Sequence, residues 1–350
     1  MSVERAGTGS APRSHVVAAF TAVYVIWGST YLAIRYAVDT IPPFLMGGSR
    51  FLISGLILYA WSRKRGASAP TRPQWRAAAI TGVLLLVCGN GAVIWSEQHV
   101  ASGLVALIVA IVPLWMVTLD WMRPGGTRPS PAVLLGVGLG LVGLALLIGP
   151  DAIAPRGTSA IDVRAACVPV VGALLWAAGS IFSRYAPRPE SAQMTTGMQM
   201  LAGGAGFLIV SAIAGEPRHF SLAAVALSSW LGYLYLVTFG SLLGFTAYVY
   251  LLGATTPAKA ATYAYVNPVV AVILGWAVAG EPFTPRMFVA AAIILGAVAL
   301  ITLANAKRAT QLPATPRIDQ RVRRKSATGE WRNAPTAQLM ETQRSDSAPD

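Results

Sequence analysis

WGSTYLAIRYA at residues 27–37 and WAAGSIFSRYA at 176–186 share Trp, Arg, Tyr and Ala at a constant offset of 149. Further along, VALIVAIVPLWMVTLDWMRPGG at 105–126 aligns with AATYAYVNPVVAVILGWAVAGE at 260–281 at an offset of 155, pairing Pro113 with Pro268, Trp121 with Trp276 and Gly125 with Gly280. The Trp-to-Arg and Pro-to-Trp spacings are eight residues in both copies, and the longer loop around GEPRHF (215–220) absorbs the change of offset. Self-similarity at a fixed separation marks a duplicated structural unit. Chance likeness between two apolar helices is the competing explanation, and the repeated spacings count against it.

Both copies lie within apolar runs of about 17–25 residues, the length a helix needs to cross the hydrocarbon core of a bilayer. Ten runs are read as spans: 16–37, 43–62, 75–95, 101–121, 131–149, 163–185, 193–213, 229–252, 260–280 and 287–306. Composition agrees. Of 350 residues, 55% are hydrophobic and 12% charged, about half the charge of an ordinary soluble domain; mean hydropathy is +0.57. So few charges cannot cover a water-soluble globule, which excludes that class together with disordered chains, coiled coils, collagen and disulfide scaffolds. The expected fold is an all-α polytopic membrane protein with ten transmembrane helices. Five spans per half is an odd number, so the second half enters the membrane upside down. This gives two inverted five-helix repeats, 16–149 and 163–306, flanked by an N-terminal segment (1–15) and a tail (307–350).

The net charge of +13 reports orientation. Counting Arg76, Arg164 and Arg184, each one residue inside a span, with the adjoining loop, the N-terminus, the even-numbered loops and the tail hold 21 Lys and Arg, and the odd-numbered loops hold four: Arg156, Arg164, Arg218 and Arg286. By the positive-inside rule both termini are cytoplasmic. The basic balance therefore points to the bilayer as partner and not to nucleic acid. The first span is too long for a signal-peptide core, and no A-x-A site follows it. The tail turns to Arg, Pro, Thr, Gln and Ser and contains RVRRK at 321–325, the composition of a disordered cytoplasmic segment. Cys88 and Cys167, 79 residues apart and in no CxxC or Cys/His cluster, read as small buried hydrophobes. No cofactor or metal is expected.

Certain residues are out of place in lipid. Arg50 lies about seven residues, or roughly 10 Å, into the second span, at a cost of at least about 2.5–3.5 kcal/mol. It is either an anion anchor or an arginine that snorkels outward or caps backbone carbonyls. Its aligned partner is Gln199. Asn90, between two glycines in the third span, must bond to another helix or to a ligand. Pro113 and Pro268 stand mid-span, and each frees the carbonyl four residues earlier, so these breaks belong where the helix faces protein or a wet cavity. Asn267 precedes Pro268 and has Tyr263 and Tyr265 nearby. Trp27 and Trp176 occupy matched positions, as cavity walls or interface anchors. With Ser29, Thr30 and Tyr31 these complete the set of substrate-cavity candidates. GSLLG (240–244) and GVGLG (136–140) read as helix-packing motifs. Glu97, Asp120, Lys259 and Glu281, with Arg35, are boundary charges near span ends where water reaches them. No carboxylate is expected deep in the membrane, so proton coupling is not indicated, although a boundary carboxylate drawn inward by folding would serve.

WGSTYLAIRYA, PPFLMGGSRF (42–51) and AATYAYVNPVVAVILGWAVAGE together resemble the EamA family of the drug/metabolite transporter superfamily over about residues 16–306. The resemblance implies ten helices in two inverted repeats around a central cavity, a place in the bacterial inner membrane, and export of a small amino-acid-like or drug-like metabolite. Arg35, Arg50, Asn267, Pro268 and Glu281 fall on the family's recurring residues. The long basic tail departs from the family's compact pattern. Inverted repeats independently suggest alternating access, with a small-molecule substrate held at the repeat interface. The rival readings are a non-transporting scaffold or receptor and a membrane-embedded enzyme. For the enzyme the sequence offers no catalytic set: His15, His99 and His219 lie outside the spans, and HExxH and GxSxG are absent.

Overall fold

The computed structural model describes residues 13–124, 128–153, 163–254 and 263–311, which are helical apart from short connections. In chain order the long helices are α1 (Arg13–Ala37), α2 (Pro43–Lys64), α3 (Arg72–Ser96), α4 (Ser102–Met122), α5 (Pro131–Ile153), α6 (Val163–Tyr185), α7 (Ala192–Ile213), α8 (227–254), α9 (Tyr263–Ala279) and α10 (Pro285–Gln311). Eight of these are long and apolar enough to cross a membrane; α5 and α9 contribute shorter apolar stretches, Pro131–Leu146 and Val266–Ala279. This is a multi-pass membrane protein. The described residues up to Ala306 form one compact unit. Lys259, the N-terminal segment through Pro12 and all of the tail beyond Gln311 lie outside the described residues.

Helices are the form these runs must take, because lipid offers no partner for a backbone N–H or C=O. Their ends are set by local chemistry. Thr71 and Gln74 form a capping box at the start of α3, with Thr71 N–H donating to Gln74 Oε1 at 2.9 Å. Ser191 Oγ accepts from Met194 N–H at 3.2 Å at the start of α7. At the end of α9, Gly280 takes φ = 64°, a left-handed turn that favours glycine. The next N–H, on Glu281, bonds back to the Gly275 carbonyl at 3.0 Å.

Two helices are widened part-way. Val83–Asn90 in α3 and Leu236–Leu243 in α8 are eight-residue stretches of π-helix, each the equivalent of an α-helix holding an extra residue. The prolines differ from expectation. At Pro113 the helix breaks outright: its first part ends at Val109 and a new one starts at Val112, with Pro113 in the first turn, where a missing N–H costs nothing. Pro268 stays inside a continuous helix.

The core is built on backbone contact between α2 and α7, which run antiparallel. A Cβ at Gly55 would lie 2.8 Å from Leu201 N and 3.0 Å from Gly197 O; one at Gly204 would lie 2.8 Å from Leu52 N and 3.0 Å from Gly48 O. Small residues let helices approach this closely. Phe51 and Phe207 stack beside the crossing with ring centroids 5.8 Å apart. Cys88 is half-buried, but Cys167 is exposed on α6 and not buried as the sequence suggested.

Candidate functional site

The widened stretch of α8 meets α1 and α2 at one place. Trp27 Nε1–H donates to the Gly240 carbonyl at 3.2 Å. A Cβ at Gly240 would lie 3.1 Å from Thr30 Cγ2 and 3.3 Å from Arg50 Nη2, and one at Gly244 would collide with the Trp27 indole. These glycines let a tryptophan and an arginine reach the α8 backbone. Trp27 is also the hub of an aromatic cluster, with centroids 5.2 Å from Phe245, 5.2 Å from Tyr248 and 5.1 Å from Tyr263.

Arg50 does not snorkel. It is 4% exposed, its Nε–H donates to Ser241 Oγ at 3.0 Å, and its guanidinium carbon lies 4.8 Å from the centroid of the Phe51 ring. Its Nη1 has no hydrogen-bond partner. A buried charged donor left unpaired is costly, and its planar fork fits a carboxylate. Nearby, Asn267 is buried with Oδ1 likewise unpartnered, and α1 approaches it so closely that a Cβ at Gly28 would lie 3.2 Å from the Asn267 carbonyl. Ser29 Oγ and the Tyr235 hydroxyl are 2.6 Å apart. Thr30 bonds within its own helix, to the Trp27 carbonyl at 2.6 Å. Tyr31 packs, half-buried, against the main core.

Other candidates lie elsewhere. Trp176 packs on α3, where a Cβ at Gly89 would lie 2.8 Å from its Cε3. Next to it in α3, Asn90 Oδ1 has no partner. Gln199, the aligned counterpart of Arg50, borders a separate small crevice with Gln74, Thr81 and Ser183. Its alignment with Arg50 does not carry over into a shared site.

The boundary charges bring a correction. Glu97 is 0% exposed and Glu281 9%, so neither sits where water reaches freely. The end of α3 is tied to α6 and α1: Ser96 Oγ–H donates to the Ala165 carbonyl at 2.7 Å, and Arg35 Nη1–H donates to the Glu97 backbone carbonyl at 3.0 Å. Neither Glu97 carboxylate oxygen has a hydrogen-bond partner. Glu281 is fully engaged: Oε1 accepts from Ser102 N–H at 2.8 Å and Oε2 from Gly103 N–H at 3.0 Å, at the N-terminus of α4. A carboxylate there satisfies orphan donors and the positive end of the helix dipole. Glu216 does the same for α2, accepting from Phe44 N–H at 3.2 Å and Leu45 N–H at 2.8 Å. Asp120 pairs with Arg123 at 2.7 Å in a half-exposed ion pair.

Sequence reasoning missed Ser241, Tyr235, Phe245 and Tyr248. The motif GSLLG was read as packing alone; its serine, flanked by the two glycines on which Arg50 and Trp27 rest, was the available signal. For Glu216 the signal was an acidic residue in a loop with no partner in sequence.

Comparison with known proteins defines the class. The sequence matches the EamA-like transporter family over residues 14–149 and 163–303, and the chain belongs to that family. It is 39% identical over 286 residues to "Uncharacterized inner membrane transporter YedA" of Escherichia coli K12, covering 81% of this chain and 90% of that one. It is 26% identical over 291 residues to a "Probable terminal-alkyne amino-acid exporter" of Streptantibioticus cattleyicolor, covering 82% and 93%. A solved crystal structure matches with TM-score 0.55 at 22% identity, over 83% of this chain and 98% of that one, a likeness of fold.

Proposed function

We propose that this protein is a secondary transporter of the bacterial inner membrane that exports a small amino-acid-like metabolite by alternating access between two inverted five-helix halves. The observation that carries the reading is Arg50: a buried guanidinium with a free donor, held by Ser241 next to the aromatic cluster around Trp27. A carboxylate on an amphipathic solute matches both. The YedA relative's name supports the inner membrane, and the exporter relative's name supports an amino-acid substrate. Both termini are cytoplasmic on this reading, as the Lys and Arg distribution favours.

Support for inverted halves comes from contacts exchanged between them. Gly48 and Gly55 in α2 stand at offset 149 from Gly197 and Gly204 in α7, yet Gly55 meets Gly197 and Gly204 meets Gly48. Likewise Trp27 of α1 packs on Gly244 of α8, while Trp176 of α6 packs on Gly89 of α3. Each residue meeting the counterpart of its partner is the signature of a two-fold relation, here within one chain. The π-helical stretches fall in the third helix of each half. Such an interface lets one half rock against the other around a site near mid-membrane.

The test is solute counterflow in proteoliposomes, across a panel that includes L-propargylglycine, L-phenylalanine, a nucleoside and a hydrophobic cation. Wild type should exchange at least one carboxylate-bearing solute. Arg50→Gln should lose affinity for it, and Arg50→Lys should retain part. Folded protein that exchanges no member of the panel contradicts the reading and favours a scaffold or receptor role.

A further inference from the structure

The carboxyl of Glu97 has no place in the export reading so far, and its position is costly. It is fully shielded, and neither oxygen accepts a hydrogen bond. The groups that face it are Tyr31 and Arg35 from α1, Arg50 from α2 and Glu281 from the loop after α9. None of them neutralises it by direct contact. Arg35 binds the Glu97 backbone carbonyl, Arg50 Nε is held by Ser241, and both Glu281 oxygens are spent on Ser102 and Gly103. Burial, and then the like charge of Glu281, pushes the Glu97 carboxyl well above the usual carboxylate range, with Arg35 and Arg50 pulling it back. Such surroundings favour the neutral acid. Ionised, the group calls for a cation. The helices α2 and α3 touch three residues before Arg50 and Glu97, where a Cβ at Gly47 of α2 would lie 3.2 Å from Ile94 Cδ1 of α3, and the electrostatics couple the two groups. Each has an open valence, an acceptor pair on Glu97 and a donor on Arg50. A zwitterion carries the complement of both.

We propose that Glu97 is a binding site for which a proton and the ammonium of a zwitterionic substrate compete, while Arg50 holds the substrate's carboxylate. The proposal rests on the transport reading and deepens it by naming the substrate class and the coupling ion. In the step itself, the protonated carboxyl gives its proton to water as the ammonium arrives, and on the opposite side a proton from water displaces the ammonium. One zwitterion, of zero net charge, leaves as one proton enters, so each cycle moves one positive charge inward. A proton gradient directed inward then drives export.

The experiment uses the full chain in proteoliposomes with L-propargylglycine and its deaminated analogue 4-pentynoate as probes, between pH 8 and pH 6. In wild type, the half-saturation concentration for L-propargylglycine counterflow should rise by up to about tenfold per pH unit below the Glu97 pKa, as one-proton competition requires. For 4-pentynoate, which has no ammonium, it should not rise. Glu97→Gln should flatten the L-propargylglycine profile, and Glu97→Asp should keep a pH-dependent profile with a displaced midpoint. Wild-type exchange of L-propargylglycine with a pH-independent half-saturation overturns the proton site and leaves transport standing, whereas no exchange of any solute by folded protein overturns the transport reading and this one with it. If Glu97→Gln fails to insert, proton release on adding L-propargylglycine to detergent-solubilised wild type decides the matter. Release supports the competition, and its absence, with binding observed, overturns it.

Discussion

Replacing Glu281 with alanine is expected to be among the most destabilising single changes in this protein. The carboxylate makes two hydrogen bonds to backbone N–H groups, at 2.8 and 3.0 Å, and is only 9% exposed, so solvent screens little of the interaction. Hydrogen bonds to a charged group contribute about 1.5–3 kcal/mol each, with the orphaned buried donors adding their desolvation. The helix dipole contributes up to about 2 kcal/mol in partly buried geometry, part of which those bonds already include. The expected loss is therefore about 3–5 kcal/mol for Glu281→Ala. Glu281→Gln keeps one acceptor oxygen and loses the charge, and should forfeit roughly half of that. Glu216→Ala removes the matching cap on α2, but Glu216 is half-exposed, so its loss should be smaller, on the order of 1 kcal/mol. The assay is thermal unfolding of the full chain in detergent, followed by tryptophan fluorescence. The predicted order of melting temperature is wild type, Glu216→Ala, Glu281→Gln, Glu281→Ala. Refutation would be Glu281→Ala melting with wild type. A Glu281→Gln protein of full stability that no longer transports would equally refute the capping role, because the carboxylate would then be serving the substrate.

Other substitutions probe the remaining contacts. Ser241→Ala strips the Nε partner from buried Arg50 and should cost about 1–3 kcal/mol, read as a lower melting temperature together with altered affinity for carboxylate solutes in counterflow; unchanged values in both would dismiss the pairing. Gly55→Ala drives a Cβ into the α7 backbone and should cost about 1–3 kcal/mol in the same melt, whereas Gly138→Ala, with nothing within 4 Å, should melt with wild type. For Glu97 the sign follows from its raised pKa: the folded state binds the proton more tightly than the unfolded chain. Wild-type stability is full below the ordinary carboxylate pKa of 4.5 and declines, by at most about 1.4 kcal/mol per unit, as pH rises toward the folded pKa. Glu97→Gln lacks this decline, so its melting temperature should overtake wild type progressively with pH; a constant difference from pH 4 to 9 would contradict the buried, protonated acid.

The spans were legible because lipid imposes one requirement on length and apolarity, and the chain meets it without disguise. The second span, read as 43–62, is Pro43–Lys64, and the seventh, read as 193–213, is Ala192–Ile213. The expectation of a repeat rested on a few aligned prolines and tryptophans, and tryptophan is scarce enough, at 10 in 350 residues, for its matches to count. What could not be read was which face of each helix turns inward. In lipid the polar-to-apolar alternation that betrays a soluble helix is absent, so Ser241 looked like a spacer between glycines. Glu97 was misjudged for a related reason. A charge at the end of an apolar run ordinarily meets water, and only the packing of the end of α3 against α6 and α1, through Ser96 and Arg35, takes that water away. Gln199 aligns with Arg50 but borders α3, beside Thr81 and Gly82, whereas Arg50 borders α8 at Ser241, so the two aligned positions meet different neighbours.

The rotational setting of α3 and α8 depends on a count. In Val83–Asn90 and Leu236–Leu243 the extra residue of the widened turns fixes the azimuth of everything beyond it, since one residue of α-helix is about 100° of rotation. Deleting any single residue from Leu84–Val87 would let the turns relax to α geometry and swing Trp95, Ser96 and Glu97 about a quarter of the way around the helix. From Val237–Phe239 it would do the same to Phe245 and Tyr248. These two stretches therefore act as vernier dials on the molecule: tolerant of which apolar residue they hold, and intolerant of how many.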